Sequence, residues 1–197
     1  EEVNPNMRKL AKARVLGLGY GCGKERFVEV AKSMAGLELT LDQAAATVDN
    51  YRRTNTKITA LWNRYDAEFK AHHGKHYYLA LPRSSQDPTR KLIYRNVDAH
   101  AGVATVAGEK NRLYGGKLVE NLTQATARDI LAEAWIRCYD DGFKPILSIH
   151  DELVFELDED RAEEQLQQII RLMEQPVDWA PEIPLKVKGT LSRHYKK

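Results

Sequence analysis

Apolar and polar positions follow two periods along this chain. Asn4-Pro5 predicts a helix start, with Asn as N-cap and Pro at the first helical position. Glycines at 17, 19, 21 and 23 loosen or end that helix. Lys24–Ala35 reads as a second helix closed by Gly36, and Thr40-Leu41-Asp42-Gln43 is a capping box opening a third that runs toward Tyr51. Ile58, Leu61, Trp62, Tyr65 and Phe69 recur at helical spacing up to Gly74, a stripe best read as core. The period then shortens. His76–Leu81 and Lys91–Asn96 read as strands around the loop Pro82–Arg90, a surface hairpin. A long helix runs from Lys117 to about Tyr139, ended by Gly142, with Leu118, Leu122, Ala125, Leu131, Trp135 and Cys138 as its buried face. Ile146–Ile149 and Leu153–Leu157 flank a short polar break and predict a tight hairpin. Asp158 is placed to cap a helix over about Asp160–Gln175, with Leu166, Ile169, Ile170 and Met173 inward. A Pro-punctuated stretch, Pro176 to Pro184, leads to a last strand, Leu185–Thr190. The expected class is α+β, without internal repeats or linkers.

Composition narrows this only slightly. The 197 residues, 43% hydrophobic and 29% charged, suit a soluble globular protein of one domain or a little more. No run approaches the roughly 18 apolar residues of a membrane span, and no signal-peptide pattern opens the chain, so a cytoplasmic protein with no membrane partner is expected. Cys22 and Cys138 are too few for a disulfide framework and lack metal-ligand spacing. A net charge of +2 does not announce a nucleic-acid binder, although basic residues gather at Arg8–Arg14, Arg90–Arg95 and Arg193–Lys197. The start at Glu1, without an initiator Met, reads as part of something longer or a processed product.

Candidate chemistry concentrates at two places. The hairpin tip carries His150, Asp151 and Glu152, and two adjacent acids suit a hard cation such as Mg²⁺, which takes oxygen ligands and leaves room for substrate phosphates. Turns also favour Asp for purely local reasons, so this pair alone decides nothing. Arg8, Lys12 and Leu16 fall at intervals of four, on one slowly rotating helix face. Cations spaced in this way can clamp a triphosphate through charge-assisted hydrogen bonds.

The run from His150 to Glu156, His-Asp-Glu-Leu-Val-Phe-Glu after an apolar strand, resembles motif C of the family A DNA polymerases, the group of bacterial DNA polymerase I and many phage replicases. Arg8, Lys12, Leu16, Gly17, Tyr20 and Gly21 stand in the spacing of that family's motif B, on the fingers helix. The segment from Tyr114 to Ile130, which includes Gln124 and Arg128, resembles the palm helix of the phage-type members. The resemblance covers nearly the whole chain in the family's order. It implies fingers over residues 1–75 and a palm part over 76–197, with an antiparallel palm sheet backed by helices.

It implies template-directed DNA synthesis as well, in which a primer 3′-hydroxyl attacks the α-phosphate of a deoxynucleoside triphosphate. Two Mg²⁺ ions about 3.5–4 Å apart would serve that reaction. Asp151 would bind metal, with Glu152 as a secondary carboxylate. Arg8 and Lys12 would hold the triphosphate, and Lys12 would also serve catalysis by protonating the departing pyrophosphate. Leu16 and Tyr20 would sit at the nucleotide, and His150 near the primer end. Gln124 and Arg128 would contact the primer-template, since minor-groove acceptors common to all base pairs suit an amide. A phage-encoded enzyme would act in the cytoplasm of an infected bacterial host.

Two departures stand out. Nothing in residues 1–197 matches the family's motif A, an Asp with a Ser-x-x-Glu-type run, so an upstream segment or a second polypeptide is expected to supply it. Position 16 is Leu where many relatives carry Phe or Tyr. Two alternatives stay open. One is a non-catalytic nucleic-acid-binding or assembly subunit, against which Lys12 and Asp151 argue. The other is a single-subunit RNA polymerase fragment, against which Glu152 argues, because those enzymes typically carry Ser there.

Overall fold

The computed structural model describes residues 5–195; the expected Asn4 cap lies outside them. The chain divides into two compact units: Glu1–Leu79 with Leu92–Leu122, and Ala80–Lys91 with Thr123–Lys197. Helices and antiparallel strands make up both, an α+β class as expected from the sequence.

In the first unit, helices α1 (Pro5–Leu18), α2 (Lys24–Ala35), α3 (Leu41–Thr54) and α4 (Thr56–Ala71) precede strands β1 (Tyr77–Ala80), β2 (Lys91–Asp98), β3 (Val103–Val106) and β4 (Glu109–Arg112). Helix α2 ends at Gly36, whose left-handed backbone (φ 66°) lets its N–H reach the carbonyls of Ala31 and Lys32. The capping box forms as expected: Thr40 Oγ1 accepts from Gln43 N at 3.2 Å and Gln43 Oε1 from Thr40 N at 3.0 Å. One core gathers Leu18, Phe27, Ala44, Val48, Tyr51 and Trp62 among the helices. A second joins Phe69 of α4 and Leu118 of α5 (Gly115–Asp140) to the inner sheet face, where Tyr77, Leu79, Tyr94 and Ala104 point. Its buried tyrosines keep their hydroxyls paired: Tyr77 donates to Glu68 Oε2 at 2.9 Å, and Tyr94 accepts from Asn121 Nδ2 at 3.2 Å.

The strands run in the order β1-β2-β3-β4. The β3–β4 pair does not appear in the sequence reading. It closes through Ala107 (φ 50°) and Gly108 (φ 87°), two consecutive positive-φ residues between the paired Val106 and Glu109, the requirement of a tight hairpin turn that follows strand twist. Beside it, β2 is irregular between Arg95 and Asp98, around Asn96 at φ 52°.

The second unit holds the loop after β1, most of α5, the strands β5 (Pro145–Ile149) and β6 (Glu152–Phe155), α6 (Ala162–Met173) and the C-terminal segment. Its buried apolar residues are few: Leu81, Leu131, Ala134, Cys138, Ile169 and Val177. Burial pushes the Cys138 thiol up to about 11, as expected of an inert core cysteine. Charged side chains on α5 do much of the fastening. Asp129, only 3% exposed, pairs with Arg90 of the loop. Glu133 accepts from Trp179 Nε1 at 2.6 Å and lies 3.4 Å from Arg83 and 3.5 Å from Arg137. Arg137 in turn donates to the carbonyls of Gln175 (2.8 Å) and Pro176 (3.0 Å) just past α6.

Two expectations are corrected here. Asp158 stands at the start of a 3-10 turn, Glu159–Arg161, and its side chain makes no capping bond; α6 begins only at Ala162. Leu185–Thr190 is not a paired strand. Its residues alternate between half-buried and exposed as a strand's would, and Gly189 lies so close to Leu166 that a Cβ would come within 2.5 Å of it. No neighbouring strand supplies a ladder among the described residues, so the segment stays extended. No helix among the described residues is long and apolar enough to cross a membrane.

Candidate functional site

The hairpin presents its acids as the sequence suggested. Ile149 pairs with Glu152 and Ser148 with Leu153, which leaves His150 and Asp151 as the two-residue turn. His150 adopts φ 53°, the left-handed region that His tolerates better than most side chains. Glu152 opens β6 rather than lying in the turn. His150, Asp151 and Glu152 are all exposed. Arg128 of α5 donates from Nη1 to Ser148 Oγ at 3.2 Å, which fastens the hairpin near its tip. Gln124 lies one helical turn before Arg128 and is likewise exposed.

Helix α1 in the first unit carries the other group. Arg8, Lys12 and Leu16 are exposed, Leu16 to 45%, while Ala13 and Gly17 are buried. Glycine at 17 brings α2 close: a Cβ there would meet Val30 Cγ1 at 3.1 Å and Phe27 at 3.3 Å. The helix stops at Leu18, so Tyr20 leaves the stripe and sits half-buried against the helical core.

What holds this helix end is contributed by residues that the sequence reading did not single out for the site. Trp62 Nε1 donates to Gly19 O at 3.1 Å, and Gly115 N donates to Asp66 Oδ1 at 3.2 Å. Backbone meets backbone here. A Cβ on Gly115 would lie 1.9 Å from Trp62 O, and one on Gly116 would lie 2.0 Å from Tyr20 O. Only glycine permits that approach. Two consecutive glycines opening a helix were the available signal, since that position otherwise favours better helix formers.

The structure therefore gathers Arg8, Lys12 and Leu16 on one unit, and His150, Asp151 and Glu152 with Arg128 on the other. The loop arginines Arg83 and Arg90 face acids of α5. Among the described residues no three His, Cys, Asp or Glu side chains converge as a ready metal cage. Mg²⁺ does not need one. It is usually held by one or two carboxylates, with waters and substrate phosphates completing its shell, and an exposed Asp-Glu pair fits that donor set.

The family model for "DNA polymerase family A" matches residues 1–197. The chain belongs to DNA polymerase family A. It is similar to the DNA polymerase of Bacillus phage SP02, 31% identical over 223 aligned residues that cover 97% of this chain and 33% of that protein. It is also similar to the thermostable DNA polymerase I of Thermus thermophilus, at 27% identity over 99% of this chain and 21% of the relative. In fold it resembles the POL domain of Pol1 from M. smegmatis, solved in complex with DNA primer-template and dNTP, with a TM-score of 0.59 and 21% identity over 88% of this chain and 28% of that one. The chain thus spans a third or less of the length of each of these proteins.

Proposed function

We propose that this chain forms the part of a template-directed DNA polymerase that grips the incoming deoxynucleotide and supplies one arm of the catalytic metal site. Within it, residues 1–75 act as fingers and 76–197 as palm. The observation that carries the reading is the β5–β6 hairpin, which holds Asp151 and Glu152 exposed at its tip in a chain of this family.

Each side chain then has a task. Arg8 and Lys12 project from the solvent side of α1 and bind triphosphate oxygens at two points, one turn apart. Lys12 donates the proton that the leaving pyrophosphate takes up. Leu16 packs against the nucleotide's sugar, and Tyr20 borders the nascent base pair. Asp151, with Glu152 beside it, would hold Mg²⁺, which when bound would supply the positive charge that activates the attacking hydroxyl and stabilises the leaving oxygen. His150 lies by the primer terminus, and Gln124 and Arg128 contact the primer-template duplex. The motif A carboxylate comes from outside these residues, from an upstream segment or a partner polypeptide. Primer-template DNA and deoxynucleoside triphosphates are the substrates, and likeness to a phage polymerase favours the cytoplasm of a bacterial host as the workplace.

The test is Asp151→Asn in the complete enzyme. Asn keeps the shape and loses the charge, so primer extension should vanish while primer-template affinity stays within a few-fold of the parent. Extension at a near-normal rate would remove Asp151 from the site.

A further inference from the structure

The outward face of the four-stranded sheet has a use that the polymerase reading does not assign. Strand register sets it. Arg95 pairs with Thr105 and Thr105 with Lys110, so these three point to one side, and Arg112 joins them opposite Val103. That side faces away from the core, because Ala104, the neighbour of Thr105, is buried beneath. Arg95 and Lys110 stand two strands apart, about 10 Å, and Lys110 and Arg112 about 7 Å along one strand. All three are exposed, and none forms an ion pair among the described residues.

The nearest acid on β2, Asp98, forms no ion pair with any of the three among the described residues and lies 3.9 Å from His73 instead. Its carboxylate accepts from the N–H groups of Ala101 (3.1 Å) and His100 (3.0 Å), and these bonds hold its carboxyl below the usual range. Apolar surface lies among the cations: Tyr78 of β1 is 50% exposed and Ile93 of β2 is 36% exposed. Arg112 also lines a concavity of about 560 Å³ with His100, Tyr114 and the ion-paired Lys70 and Asp66. The Tyr114 ring lies against Gly21, 3.5 Å from where a Cβ would stand, just past the end of α1. The exposed cations Arg95, Lys110 and Arg112 therefore form a row on this sheet face, and the concavity beside Arg112 reaches the segment just past α1.

We propose that this sheet face binds single-stranded DNA, namely template not yet copied on its way to the nucleotide-facing helix. Cations in a row take the phosphates, while Tyr78 and Ile93 offer a surface to unstacked bases, which a duplex keeps inside. Calling the strand a template rests on the polymerase reading, whereas the binding itself does not.

The experiment measures the full chain binding a fluorescent oligothymidylate and a blunt duplex across a salt series. Each phosphate contact on a single strand contributes about 0.7 to the slope of log affinity against log salt. Arg95→Gln/Lys110→Gln/Arg112→Gln should lower the single-strand slope by about 2 and leave duplex binding nearly intact. Lys110→Gln alone, an exposed change checked for native circular dichroism, should lower it by about 0.7. Tyr78→Ala should weaken oligothymidylate about tenfold with an unchanged slope. An unchanged slope in the triple variant, or equal losses for single strand and duplex, overturns the proposal. If Asp151→Asn extends primers normally while these slopes change as expected, the catalytic reading fails and this surface stands.

Discussion

The four-stranded sheet of the first unit has one face closed by Phe69 of α4 and Leu118 of α5, whereas the β5–β6 hairpin of the second unit pairs only with itself among the described residues. Ile146 and Leu147 of that hairpin are 63% and 45% exposed. An isolated two-stranded hairpin is marginal in water, and stability usually needs a third strand or a covering helix. The units differ in the same sense throughout. The first relies on apolar cores and on glycines that bring backbones into contact. The second fastens itself with charged groups on α5: Asp129 to Arg90, Glu133 to Trp179, Arg128 to Ser148. The lesson is that the candidate cations of α1 stand on the well-packed unit, whereas the carboxylates stand on the element with least support of its own.

The sharpest test of this contrast is activity of the chain alone. On the proposed reading, in which an upstream segment or a partner supplies the motif A carboxylate, the isolated chain should extend no primer, and its open hairpin edge should promote self-association. Metal-dependent extension by the pure chain would show that the hairpin needs no further support. Gly115→Val attacks the other side of the contrast. Its side chain would collide with the Trp62 carbonyl, costing about 3 kcal/mol as severe overpacking, read as a lower urea midpoint. Asp129→Asn addresses the charged fastening. It removes one partner of a largely buried pair, and because the Arg90 side chain keeps 40% exposure the cost should be about 2 kcal/mol rather than the roughly 3–5 of a fully buried pair. Hydrogen exchange should place that loss in the second unit. The smallest effect is on selectivity. Leu16 offers no polar atom to a nucleotide lacking its 3′-hydroxyl, so Leu16→Tyr in the reconstituted enzyme should relax discrimination against dideoxynucleotides by about tenfold, the worth of one hydrogen bond. The ratio of kcat/KM for the two substrates measures it, and a constant ratio would move Leu16 away from the sugar.

Much of this was legible where interactions are local. Gly36, the Thr40–Gln43 box, the aromatic stripe of α4 and the short break at His150-Asp151 act within a few residues of themselves. The misses have distant causes. Strand β4, Glu-Lys-Asn-Arg, is exposed throughout and has no apolar alternation to reveal it; it exists because β3 offers a ladder. Leu185–Thr190 has the alternation without the ladder. The partners of Arg83 and Arg90 lie on α5 some 40 or 50 residues later, and the carbonyls that exclude any Cβ at 115 and 116 belong to Trp62 and Tyr20. For the candidate site, residue types and spacing named the side chains only together with the resemblance to the family's motifs. How α1 is pinned at its end came only with tertiary packing.

The backbone at His150 bears on how the turn can be probed. A left-handed conformation costs little for Gly or Asn but is an outlier for β-branched residues. Replacing His150 by Asn therefore removes the imidazole and leaves the hairpin tip in place. Replacing it by Val changes the ring and the turn together, and would tilt Asp151 along with them. Of all exchanges at this position, those that respect φ 53° are the ones from which the imidazole's own contribution can be read.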